Sequence, residues 1–101
     1  MAVLARKEKQ PYDELYYTVG YQKWLRADET ITDVTAVAET IAGDASPLVV
    51  GSAVVLADAK TIAVTLSGGT AGLVYEVTLR IETTNPAEKK EDELVVRVVE
   101  V

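Results

Sequence analysis

The stretch Leu73-Val74-Tyr75-Glu76-Val77-Thr78-Leu79-Arg80-Ile81-Glu82-Thr83-Thr84 decides the fold class. Leu73, Tyr75, Val77, Leu79 and Ile81 occupy one side of a two-residue repeat, and Val74, Glu76, Thr78, Arg80 and Glu82 the other. Successive side chains of an extended strand point to opposite faces, so this segment reads as a strand with one dry face and one wet face. Lys60 to Ser67 repeats the pattern, with Ile62, Val64 and Leu66 against Thr61, Ala63 and Thr65. Leu15 to Gln22 does so again, setting Tyr17, Val19 and Tyr21 against Tyr16, Thr18 and Gly20.

Three further strands are expected at Thr32 to Thr40, Leu48 to Ala57 and Glu93 to Val101. Residue usage agrees: the chain holds sixteen Val and eleven Thr, whose branched side chains fit a pleated surface better than a helix. Turn chemistry separates the segments. Gly43-Asp44-Ala45-Ser46-Pro47 is a turn cluster, Asp58-Ala59-Lys60 suits a hairpin, and Asn85-Pro86 opens a charged loop running to Asp92. Over Thr30 to Ile41 a helical spacing of Ile31, Val34, Ala38 and Ile41 competes, but Thr32, Thr35 and Thr40 lower its propensity, so strand is assigned. Six or seven short strands so punctuated predict an all-β, immunoglobulin-like antiparallel β-sandwich over residues 11–101, preceded by a flexible charged arm over residues 1–10.

The last strand carries apolar residues on both faces, Leu94, Val96 and Val98 on one and Val95, Val99 and Val101 on the other. Two explanations are open. The strand is central or covered by the fold's own loops, or its second face packs on another subunit. On the second explanation Val95, Val99 and Val101 are partner contacts.

Length and composition narrow the chemistry. A chain of 101 residues supports one modest core. Its formal charge of -6 repels a phosphate backbone, which argues against a nucleic-acid partner. With no Cys and no His there is no thiolate or imidazole metal site, no disulfide and no Ser-His-Asp relay. Only four apolar residues, Ala2 to Ala5, separate Met1 from the charges at Arg6 and Lys7, short of the about 7–15 a secretory signal needs. Leu48 to Ala57, interrupted by Gly51 and Ser52, is far short of the about 20 residues of a membrane-spanning helix. The expectation is a protein without cofactor, metal or membrane anchor.

Ser67-Gly68-Gly69-Thr70-Ala71-Gly72 suggests a phosphate loop, but it lacks the Lys and joins two strands instead of opening a helix. Gly68, Gly69 and Gly72 read instead as residues with positive backbone torsions where the chain crosses between sheets. Tyr75, just beyond, stands where sandwiches of this kind often bond a tyrosine hydroxyl back to a loop. Two acidic groups, Asp28, Glu29 and Asp33 in one loop and Glu88, Glu91, Asp92 and Glu93 in another, invite a calcium or catalytic reading. The second reads as a solvated charged loop around Lys89 and Lys90, no spacing in the first matches a calcium loop, and a carboxylate pair is all that a glycosidase needs. The remaining aromatics cluster early. Tyr17 and Tyr21 alternate inward, Trp24 with Leu25 closes one end of the sandwich, and Tyr12 and Tyr16 are left as candidate partner contacts.

Three segments resemble a known family. Lys9-Gln10-Pro11-Tyr12-Asp13-Glu14-Leu15-Tyr16-Tyr17-Thr18-Val19, followed by Trp24-Leu25, is similar to its opening strand. Asp28-Glu29-Thr30-Ile31 is similar to the start of its next strand, and Val64-Thr65-Leu66-Ser67-Gly68-Gly69-Thr70-Ala71-Gly72 running into Tyr75-Glu76-Val77-Thr78 is the most specific match. The family is that of the small immunoglobulin-like fibre-tail adaptors of tailed bacteriophages and prophages. This chain departs from it at Glu29, where the family commonly has Gly, and in the Lys- and Glu-rich loop of Pro86 to Asp92. The resemblance implies a non-enzymatic virion protein, assembled in the bacterial host cytoplasm, that binds other tail proteins and forms homo-oligomers, with no active site. The alternative is a carbohydrate- or protein-binding module of a cell-surface protein.

Overall fold

The alternation of apolar and polar residues becomes eight strands in the computed structural model, which describes residues 2–100. They are β1 (Ala2–Lys9), β2 (Leu15–Gly20), β3 (Thr30–Ala38), β4 (Leu48–Val50), β5 (Val54–Val55), β6 (Thr61–Gly68), β7 (Val74–Thr84) and β8 (Lys89–Val98). One sheet has the order β1-β8-β7-β3; the other has β2-β6-β4, with β5 also pairing with β6. No helix occurs among the described residues. The protein is an all-β, two-sheet sandwich.

Its core is the meeting of the two inward-facing sets. Tyr75, Val77, Leu79 and Ile81 of β7 and Leu94, Val96 and Val98 of β8 close onto Ile62, Val64 and Leu66 of β6, all of them at or near zero exposure. Each such side chain contributes roughly 1.5–3 kcal/mol on leaving water. β3 packs against β4, β5 and β6, closing one seam between the sheets. There the Ile31 N–H donates to the Ala59 carbonyl at 2.7 Å.

Four local expectations are corrected. Ala2–Lys9, expected to lie within a flexible arm, forms β1 and pairs with β8. That pairing is parallel, so the sandwich is not wholly antiparallel. Its charges disguise the strand: Lys7 and Lys9 fall on the inward side, opposite Val96 and Val98. The charged loop drawn from Asn85 to Asp92 shrinks to a turn before Lys89, since the alternating charges pair across the hairpin, with Arg80 opposite Glu91 and Glu82 opposite Lys89. The strand drawn from Leu48 to Ala57 is split. Val50 pairs with Leu66 and Val54 with Ala63, so the Gly51–Ala53 stretch holds one residue more than its partner, a bulge that interrupts an edge strand.

The crossing from β6 to β7 is made by Gly68, Gly69 and Gly72, with φ of 69°, 96° and 93°. Left-handed torsions of this kind disfavour any side chain. At Gly69 there is also no room, for a Cβ would lie 2.7 Å from Val98 Cγ2 and 3.5 Å from Tyr75 Cε2, whereas at Gly72 it would meet open space. Gly69→Ala is expected to destabilise by about 2–4 kcal/mol and Gly72→Ala by only about 1 kcal/mol. Urea unfolding of the two variants measures the difference, and equal losses would disprove the packing argument.

Candidate interaction surface

Opposite the seam closed by β3, the edge strands β1 and β2 run along the other side of the sandwich. Unpaired edges invite association with other chains, and inward-pointing charge is one device that restrains it. Both lysines of β1 serve here. Lys7 Nζ sits 5.5 Å from the centroid of the Tyr17 ring, a cation–π contact across the seam. Lys9 is 2% exposed, and its ammonium donates to the Gly68 carbonyl at 2.5 Å and the Gln10 carbonyl at 2.6 Å. Burial lowers the pKa of Lys9, offset in part by the nearby Asp13 carboxylate.

The turn from β1 to β2 presents Tyr12. The Asp13 N–H donates to the Gln10 carbonyl, and the Gln10 N–H donates to the Asp13 carboxylate, both at 3.0 Å. Pro11 and Tyr12 therefore project from the tip, and Tyr12 is 98% exposed. Tyr16, 61% exposed, lies on the outer face of β2 opposite Thr65 of β6. Trp24 lies in the connection from β2 to β3, with its ring edge-on to Tyr21 at 6.3 Å and 74° and Lys90 Nζ 5.3 Å from its centroid. Its neighbour Leu25 is buried.

The valines of the last strand are placed differently. β8 is interior to its sheet, flanked by β1 and β7. Val95 points outward between Arg6 and Glu76, yet is only 8% exposed; its strand neighbours cover it and leave little for a partner. Val99 is half-buried and its N–H donates to the Lys9 carbonyl at 2.8 Å. Val101 lies outside the described residues.

At one end of the sandwich Tyr75 is fully buried. Its hydroxyl donates to Asp44 Oδ2 and accepts from the Thr70 N–H at 3.0 Å, while the Thr70 hydroxyl donates to Asp44 Oδ1. These hydrogen bonds tie the turn after β3 to the glycine crossing. The Thr70 hydroxyl first, then that of Tyr75, holds the Asp44 carboxyl below the ordinary carboxylate range.

The opposite end buries two carboxylates, Glu29 and Asp92, that the sequence reading assigned to loops. Glu29 is fully buried, accepting from the Thr83 hydroxyl at 2.6 Å and the Arg26 N–H at 3.1 Å. The Thr83 bond is the main reason its pKa is lowered, with Arg26 contributing. Asp92 is also fully buried. The Tyr21 hydroxyl donates to its Oδ2 at 3.2 Å; Lys90 Nζ is 3.2 Å from its Oδ1, which has no well-aligned hydrogen bond. Burial, then the Asp92 charge, raises the pKa of Tyr21. The periodicity of β8 carried a signal for Asp92, which is in phase with Leu94, Val96 and Val98. For Glu29 there was none, because its burial depends on a turn.

The remaining carboxylates of the two acidic groups are spread out. Glu88 pairs with Arg26 at 2.6 Å, and a shallow trough of about 470 Å³ on the outer face of the β1-β8-β7-β3 sheet is lined alternately by acids and bases, among them Asp33, Arg80, Glu82, Lys89 and Glu91. Among the described residues no group of three or more acidic side chains is placed to hold a metal ion.

The lowered pKa values of Asp44 and Glu29 fix the sign of a pH dependence. Carboxyls depressed in the folded state stabilise it above their unfolded pKa, and the contribution is lost as pH falls through the folded value. The melting temperature should hold steady down to the ordinary carboxylate range and fall below about pH 4. In Asp44→Asn it should start lower at pH 7 and fall less on acidification; parallel curves for the two proteins would refute the assignment.

A family model described as Podophage GP4 fiber-tail adaptor protein gp77 matches residues 9–97. No curated protein and no solved structure matches the chain.

Proposed function

The chain belongs to the podophage fibre-tail adaptor family, and from that premise we propose that it is a non-enzymatic joint binding other tail and fibre proteins through its free sheet edges and the turn that carries Tyr12. Family membership is the observation that carries the reading. The geometry supplies a means: β1 and β2 leave backbone donors and acceptors unpaired along one side, to which an extended segment of a partner can add as a further strand. Tyr12, 98% exposed at the tip between these edges, offers a large ring that loses little side-chain entropy when fixed.

On this reading the protein resides in the virion after assembly in the host cytoplasm, and its partners are proteins. The acidic balance of -6 disfavours nucleic acid, and the reading involves no membrane or cofactor. Tyr12 and Tyr16 remain the contact residues of choice, ahead of Val95 and Val99, whose surfaces β8 and its neighbours largely cover.

Light scattering on the purified chain mixed with each tail and fibre protein encoded beside it tests the proposal. Co-migration with at least one is expected, and Tyr12→Ala should weaken that complex by about tenfold or more without lowering the melting temperature. Failure to bind any of them would overturn the adaptor role.

A further inference from the structure

The four strands β2, β4, β5 and β6 of the second sheet contain no Asp, Glu, Lys or Arg. The other sheet is the opposite case. Its outer face carries ion pairs between Arg80 and Glu91 at 2.5 Å, Arg97 and Glu8 at 3.7 Å, and Lys89 and Glu82 at 3.8 Å. That face is neutralised largely within itself and suits contact with water. The uncharged one has a flat centre, where Thr18 and Val54 stand on either side of Ala63 and leave it 0% exposed. Around this centre Tyr16, Val49 and Val54 project, 61%, 55% and 46% exposed.

We propose that this face packs against the same face of a second copy of the chain, sheet on sheet about a twofold axis. The argument is one of charge and hydrogen-bond complementarity. A partner bringing charges here would lose their hydration and find no counter-charge. A second copy brings none. The polar groups the face does carry are hydroxyls, Thr18, Thr65 and Ser67 among them, and a hydroxyl both donates and accepts. Identical hydroxyl-bearing faces are therefore self-complementary, as a twofold interface requires. Copies of a chain with charge -6 repel as a whole, and the strands of this face let them meet with no like charge among the strand residues, Glu14 standing at the margin before β2.

The size of the face sets the strength. Strands rise about 3.3 Å per residue and lie about 4.8 Å apart, so β6 and its neighbours present about 400 Å² per copy, or about 800–1,000 Å² in total with the projecting side chains. That is the weak end of specific interfaces, and half-association is expected between about 10 µM and 1 mM. The inference does not rest on the adaptor reading, and its test contains no other protein, so either can fail alone.

Sedimentation equilibrium of the purified chain up to about 1 mM, at low and high sodium chloride, reads the association directly. A dimer whose dissociation constant does not rise with salt is expected, because no ion pair crosses the interface. Val49→Lys and, independently, Thr18→Lys, both at exposed positions, should raise that constant at least tenfold. Val37→Lys, on the outer face of the other sheet and 65% exposed, should leave it unchanged. Circular dichroism confirms that each variant is folded, and either face variant alone suffices for the test. A strict monomer at about 1 mM overturns the proposal, as does a dimer weakened by salt, one indifferent to both face variants, or one lost in Val37→Lys. A chain that stays monomeric but binds a different protein through Val49 and Thr18 overturns it equally, by assigning the face to another occupant.

Discussion

The structure depends on one constraint, that the chain must leave one sheet at the end of β6 and enter the other at β7 while both strands keep their apolar residues aimed at each other. A side chain at position 69 would collide with Val98, so the backbone itself packs against the core there, close to the Tyr75 ring. Tyr75 then fills the end of the interior and passes its hydroxyl out to Asp44 and Thr70. Its hydrogen bonds satisfy a polar group that would be costly to bury alone. Register, core and the closure of that end all follow from this crossing.

How much of this was legible depends on where the information lies. Strands β2, β6 and β7 could be read from alternation alone, because both of their faces have consistent chemistry. The glycine crossing was also visible, since a Ser-Gly-Gly-Thr-Ala-Gly run between two strands has few other uses. β1 was hidden because the inward positions of an edge strand need not be apolar: Lys7 and Lys9 reach the seam with a charged tip on an aliphatic stem. The start of β8 was misread for a related reason. Lys and Glu in alternation look like a solvated loop, yet across a hairpin they form a ladder of opposite charges. Glu29 was beyond reach, because its burial depends on Thr83, distant in sequence, and on a turn that brings Arg26 back over it.

The candidate surface was legible in part. The exposure of Tyr16 followed from alternation, while that of Tyr12 rests on the Gln10–Asp13 turn that only the structure reveals; both lie at the surface beside open edges. The valines of β8 illustrate the limit of a two-face argument. Apolar residues on both sides of a strand show that both sides are dry, and only the sheet order reveals whether neighbouring side chains or another subunit keep them so. Here β1 supplies one of the flanks, and β1 was the strand that its charges concealed. The unequal division of charge between the sheets gives the molecule two unlike sides, one hydrated and one not.

The parallel pairing of β1 with β8 also has a mechanical meaning. Because the two strands run in the same direction from Ala2 and Asp92 to Lys9 and Val98, a pull at Ala2 opposed by a pull at Val98 slides them past each other lengthwise. The backbone bonds between them then bear the load together, whereas an antiparallel pair drawn apart at one end would peel open bond by bond. Force carried along this edge therefore meets collective resistance, and the fold is oriented to transmit tension between β1 and β8 without unravelling.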